Sequence, residues 1–336
     1  MKNTAPRRAF GLLPAKGLRL AAALLCAPAL AFGAAAQDYP SKPVRIVVPY
    51  APGGATDILA RLVGKQLGNA LGQPMIVENM AGGNTAIAAA NVARAAPDGY
   101  TLMFTNDATF VLNPALQQKL SYDIKKDFVP VGTVCYLNLG LAVSTRTPAQ
   151  DLKSLAAYTR EQGDKLAYGS FGVGSHPHLM GEMYNQVTGS KLIHVPYKGS
   201  APAVTDVVGQ QILMTFPALA TVQGHIASGN VKILAISGEE RSPLLPEVPT
   251  FDELGYKELN IGSWYAFFAP AGTPQAIVTR INEALAKVLQ DPDFREQLIK
   301  QGTQPTAMTP AELDALIDRE TERTRQIARI GNIKME

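Results

Sequence analysis

The stretch from Pro43 to Ile58, read on to about Leu67, constrains this chain more than any other. Val44, Ile46, Val47 and Val48 form a short β-branched run, the composition of a strand buried on both faces. Ala51-Pro52-Gly53-Gly54 follows, where two glycines let the backbone turn sharply and leave its N–H groups unobstructed. Ile58, Leu59, Leu62, Val63 and Leu67 then share one helical face, with Arg61 and Lys65 off it. Strand, glycine turn and helix together place a helix N-terminus at the carboxyl edge of an α/β sheet. Unpaired N–H donors there can hold an anion without any cationic side chain. Neither G-x-x-x-x-G-K-[ST] nor G-x-G-x-x-G occurs at this turn, so a phosphate loop is excluded. Asp57 falls in the first helical turn, where its charge complements the macrodipole. Many α/β joints of this kind bind nothing, so one loop alone does not define a site.

Residues 1–36 read as a cleaved secretory signal. Lys2, Arg7, Arg8, Lys16 and Arg19 form a basic segment without acids, and Leu18 to Phe32 is apolar apart from Arg19. Ala34-Ala-Ala36 supplies the small residues a signal peptidase needs. The apolar part is too short to span a bilayer and contains Pro28. Arg7-Arg8 fits twin-arginine export as well as the general route, and Cys26 lacks the small preceding residue of a lipoprotein anchor. The expected location is the periplasm. Removing the five signal cations takes the formal charge from +3 to about −2, so the basic balance belongs to the signal and argues for no nucleic-acid partner. Cys135 is then the one remaining cysteine, which leaves no intramolecular disulfide and a chain that depends on its core.

Beyond the first unit the chain alternates strands and helices at a period of roughly 30 residues, the mark of a parallel, helix-covered sheet. Met75 to Glu78 and Tyr100 to Thr105 read as strands, and a helix is expected over 85–95. The right-handed crossover rule then brings the loops at Gly53, Asn84 and Asn106 to one crevice. The long apolar runs 127–144 and 261–270 read as crossings out to a second lobe and back. Thr147-Pro148-Ala-Gln150 carries a capping-box pattern for the next helix. After a strand over 166–170 comes Phe171-Gly-Val-Gly-Ser-His-Pro-His-Leu179, a second glycine loop leading into a helix. Strands follow at 192–197, 212–216 and 231–237, with Ser200 as the cap of a helix to Val208. The tail is expected to be helical, with cap-plus-proline starts at Thr273, Asp291 and Thr309. Two donor-rich loops, one on each lobe, describe a clamp.

Catalytic and metal chemistry find little footing. His176 and His178 lie two apart around Pro177 with no third ligand nearby, so one of them is expected to hydrogen-bond the helix start, and no metal or cofactor is expected. Ser175 beside His176 lacks the G-x-S-x-G elbow, no paired-carboxylate signature appears, and Cys135 sits in a strand-like run as a buried thiol. The chain is expected not to be an enzyme.

From about Tyr39 to its end the chain resembles the Bug family, the TctC-like extracytoplasmic solute receptors of tripartite tricarboxylate transporters. The segments that carry the resemblance are 39–57, Val77-Glu-Asn79, Ala96-Pro-Asp-Gly-Tyr-Thr-Leu102, His194-Val-Pro-Tyr-Lys-Gly-Ser-Ala-Pro202, Arg241-Ser-Pro243, Pro249-Thr250 and 269–274. The resemblance implies a type II periplasmic binding fold, two α/β lobes with mostly parallel sheets hinged by crossing strands. Lobe one would take 37–137 and 262–336, and lobe two 138–261. It implies a monomer that captures a small organic carboxylate and hands it to a tripartite tricarboxylate-type membrane permease. A sensor kinase is an alternative partner, and an exported hydrolase using Ser175 and His178 a further alternative. Ligand-binding residues carried over are Tyr50, Ala51, Pro52, Gly53, Gly54, Ala55, Thr56 and Asp57, with Asn84, Thr85, Thr105, Asn106 and Asp107, in lobe one. In lobe two they are Gly172, Val173, Gly174, Ser175, His178, Tyr197 and Phe216. Two departures stand out: Met80-Ala-Gly-Gly-Asn-Thr-Ala86 is less glycine-rich than the family pattern, and Pro217 replaces a common Asp, which suits a less polar distal group. Trp264 is a further candidate selector, or a hinge or core aromatic.

Overall fold

A computed structural model describes Met1 and residues 39–116, 119–197, 199–331 and 333. The export segment expected over 1–36 lies, Met1 apart, outside the described residues. Val44–Val48 (β1) buries every position but Arg45, as a two-sided strand should. It pairs in parallel with Met75–Asn79 (β2) and Thr101–Asn106 (β3). The glycine turn leads into Ala55–Leu71 (α1), whose buried face carries Leu59, Val63 and Leu67. Ala86–Ala93 (α2) links β2 to β3. All three strands therefore end on one edge of the sheet.

The first apolar crossing divides at Asn138. Phe128–Leu137 (β4) stays in the first sheet, and Gly140–Ser144 (β5) opens the second. The second sheet is completed by Ala167–Ser170 (β6), Ile193–Pro196 (β7), Met214–Thr215 (β8) and Val231–Ile236 (β9), in the order β7-β6-β8-β5-β9. Its helices are Leu152–Gln162 (α3), His176–Thr188 (α4), Ser200–Val208 (α5) and Leu219–Ala227 (α6). Ser263–Pro270 (β10) returns the chain to the first sheet, completely buried, between β3 and β4. Gln275–Val288 (α7), Pro292–Lys300 (α8) and Pro310–Ile330 (α9) close the chain, with Thr303–Pro305 (β11) between the last two. Both sheets lie in the unit Lys42–Glu336, distinct from Met1–Ser41.

Two lobes and crossing strands are present, but the sheets are mixed rather than mostly parallel. β10 runs antiparallel to β3 and β4, and β5 antiparallel to β8 and β9. A strand arriving from the other lobe enters the sheet from its far end, so its direction is reversed. The first helix of lobe two begins at Leu152, not near Thr147, because the Asp151 carboxylate and Ser154 form the capping box. Ser200 is the first helical residue rather than the cap, which falls on Gly199, and β8 is shorter than the expected 212–216. β11 interrupts the all-helical tail, and a π turn over Ala108–Leu112 follows β3. The capping box at Thr309 and Glu312 forms as expected.

Candidate functional site

The Gly53 turn and the Gly172–Ser175 turn each end at an N-terminus that no side chain caps: Gly54 before α1 and Ser175 before α4. The first N–H groups of a helix lack intrahelical acceptors, so these two first turns leave donors without helical partners at the positive end of a dipole. Gly53 sits at φ +84°, and Gly172 and Gly174 at +130° and +77°, conformations that strongly favour glycine.

The glycine amides themselves are not the free donors. Gly53 N–H donates to Asp57 Oδ2 at 2.9 Å, Gly172 N–H to Ser170 Oγ at 3.1 Å, and Gly174 N–H to His178 Nδ1 at 3.1 Å. The donors left at the two helix starts are the backbone groups of Ala55, Thr56 and Asp57 on α1, and of His176 and His178 on α4. Pro177 has no N–H to offer.

Asp57 is a brace, not an open anion contact. Its buried carboxylate also accepts from Arg61 and from Asn79 Nδ2, at 3.2 and 3.0 Å, and Asn79 reaches on to the Tyr50 carbonyl. The Arg61 hydrogen bond, helped by those of Gly53 and Asn79 and opposed by burial, holds the Asp57 carboxyl below the usual range. Ala51 and Pro52 are exposed beside it, whereas Thr56 is buried. Tyr50 donates its hydroxyl to Asn106 Oδ1 at 2.6 Å, which ties the ends of β1 and β3 together as the crossover rule required. Burial, then the nearby Tyr265 and Asp107, pushes the Tyr50 phenol well up.

Asn84 and Thr85 adopt left-handed φ of 46° and 75° before α2, and for a β-branched residue that is strained. Asn113, fully buried after the π turn, holds them. Its amide donates to the Asn84 carbonyl at 2.6 Å and to Thr85 Oγ1 at 3.1 Å, and its oxygen accepts from Asn84 Nδ2 at 2.7 Å. The side chains of Asn84 and Thr85 are therefore engaged by Asn113.

Several expected contacts point elsewhere. Thr105 is buried with its hydroxyl on Thr109, because its strand position faces the core. Tyr197 donates to Asp206 Oδ2 at 2.7 Å within its own lobe, and Phe216 is wholly buried among apolar neighbours. Ser175 Oγ donates to the Gly172 carbonyl, while His178 accepts from Gly174 and stacks on His194 at 3.8 Å. Ser175 and His178 thus spend these hydrogen bonds on the Gly172–Gly174 backbone, and none among the described residues joins them to each other. His178 is thus the histidine that fastens the helix start. Val173 is half exposed at the tip of the loop. Trp264 is buried near the beginning of β10, its ring centroid 6.3 Å from that of Phe268. Cys135 is buried in β4, and burial pushes its thiol up to about 12.

One contact escaped the sequence reading. His176, the first residue of α4, reaches across to Asp107 just beyond β3, with Nε2 2.5 Å from Oδ2. The other Asp107 oxygen accepts from Ser263 Oγ at 2.6 Å, at the start of β10. The two uncapped helix starts thus come from different sheets, and the cross-sheet contact begins at one of them. Nothing in the spacing of residues 107 and 176 announces the contact, which exists only once the lobes are folded.

The chain matches the family model described as "Tripartite tricarboxylate transporter family receptor" over residues 59–333. It is 33% identical to BugT of Bordetella pertussis over 97% of this chain and 98% of that protein. Two similar solved structures are Rpa4515 of R. palustris with adipate and MatC of Rhodopseudomonas palustris with bound malate. The first is 31% identical with a TM-score of 0.75, covering 88% of this chain and 99% of that one. The second is 33% identical with a TM-score of 0.69, covering 86% and 99%.

Proposed function

The chain belongs to the tripartite tricarboxylate transporter receptor family, and on that premise we propose that it is a periplasmic receptor capturing a small organic carboxylate between its lobes. Lobe one takes residues 37–137 and 262–336, and lobe two 138–261. The loaded form passes its solute to a membrane permease of the tripartite type. The observation that supports this reading is the pair of uncapped helix starts, α1 and α4, supplied by different sheets, with His176 at the second of them bonded to Asp107 beyond β3 of the first sheet. A carboxylate between them would accept from the backbone of Ala55 and Thr56 on one side and of His176 and His178 on the other. Tyr50, Gly54 and Val173 would form the walls.

Magnitudes favour this arrangement. A hydrogen bond to a charged group contributes about 1.5–3 kcal/mol. Three or four of them approach the roughly 8 kcal/mol of micromolar binding, with association costs to be set against them. The relatives with adipate and malate support the carboxylate class.

Thermal-shift screening against mono-, di- and tricarboxylates, acidic amino acids and aromatic acids tests the proposal. A solute that binds only the folded protein raises its melting temperature by mass action. The expected result is a concentration-dependent rise with one or more carboxylates, malate and adipate being in the panel. A flat response across the panel contradicts it.

A further inference from the structure

We propose that His176 and Asp107 form a proton-operated clasp that joins the two lobes and biases the receptor toward its closed form. The inference rests on the reading of this protein as a receptor whose lobes close. His176 stands at the first position of α4 in lobe two, and Asp107 follows β3 in lobe one. Their side chains are 12% and 6% exposed, with the imidazole Nε2 2.5 Å from the carboxylate. Asp107 is fixed from behind by Ser263 at the foot of the crossing strand β10, so its free edge is aimed at the other lobe. A pair inside one lobe would only stabilise folding. A pair across the cleft stabilises one of two arrangements of an already folded protein.

The surroundings decide the sign. Glu320 on α9 adds negative potential at His176, with Arg319 next to it in the chain and within 3.6 Å. Tyr50, Tyr136 on β4 and Tyr265 on β10 all feel the Asp107 charge, and Glu239 also acts on Tyr136. Burial opposes the imidazolium, but the charge and hydrogen bond of Asp107, with Glu320 behind them, outweigh it and raise the His176 pKa. In an open form the ring returns to water and to an ordinary value of about 6.5. Closure therefore takes up a proton. The clasp is at full strength below the open-form pKa and is lost as pH rises through the closed-form one. Its strength is modest by construction, because both groups regain hydration when the lobes part. That suits a contact that must make and break in each transport cycle.

The test uses ligand-free protein, so its outcome is independent of which solute binds. NMR titration of the His176 ring, with solution scattering from pH 5.5 to 9, reads the proton and the closure separately. The ring is expected to titrate above about 6.5 and to return to that ordinary value in Asp107→Asn. The radius of gyration is expected to rise with pH in the wild type and to lose that dependence in His176→Gln, which keeps a hydrogen-bonding side chain without the titration. The reciprocal exchange Asp107→His with His176→Asp is expected to restore it. A His176 ring that titrates at the same pH with and without the Asp107 carboxylate overturns the proposal, as does a pH dependence that survives His176→Gln. A failure here leaves the carboxylate reading standing, and a carboxylate panel without hits leaves the clasp standing.

Discussion

Asp57 shows how a single side chain can fix the shape of a glycine turn. Its carboxylate collects Gly53 N–H, Arg61 and Asn79, so the positive-φ turn is held from inside. Asp57→Asn keeps one acceptor but loses the charge, and each charge-assisted bond weakened costs about 1–3 kcal/mol. The expected result is a lower melting temperature at pH 7, measured by calorimetry. Because the folded-state pKa is depressed, the Asp57 contribution is present above about pH 4 and is lost as pH falls through its lowered value. The gap between wild type and Asp57→Asn should therefore narrow in acid. Asn113 plays the matching part for the Asn84-Thr85 turn. Asn113→Ala would strand buried polar groups and release strained backbone, so a loss of about 1–3 kcal/mol is expected in denaturant titration.

At the scale of elements, the helix starts carry the argument, and they admit a clean perturbation. Ala55 is the first residue of α1, and Gly54 before it has the extended ψ of 167° that a following proline requires. Ala55→Pro removes one N–H donor at the position where proline suits a helix. Stability is expected to stay within about 1 kcal/mol of wild type, while affinity for the bound carboxylate falls about tenfold or more, as measured by calorimetric titration. Equal losses of stability and affinity would point to a wall rather than a donor. These starts were legible in the sequence because a β-branched run, paired glycines and a helical stripe are local signals. The crossings were legible because 127–144 is too long for one strand and 261–270 is a second long apolar run. What stayed hidden was tertiary. The reversed direction of β10, the short β11 and the π turn before Asn113 follow from packing between distant segments. The inward side chains of Thr105, Tyr197 and Phe216 depend on which face of each element the core claims.

For the whole molecule, the proposed receptor needs two lobes that meet around an anion held by backbone rather than by cations. In the proposed receptor the parallel ends of β1, β2 and β3 would set one jaw and the turn after β6 the other, with β4 and β10 as the crossing strands of the first sheet. Amide-resolved NMR on the isotope-labelled protein, titrated with whichever carboxylate raises its melting temperature, tests this most directly. Resonances of Ala55, Thr56, His176 and His178 are predicted to move together, saturating at one affinity, with those of Gly53 and Gly174 following less. A carboxylate that binds and leaves the amides of both helix starts unmoved would contradict the account.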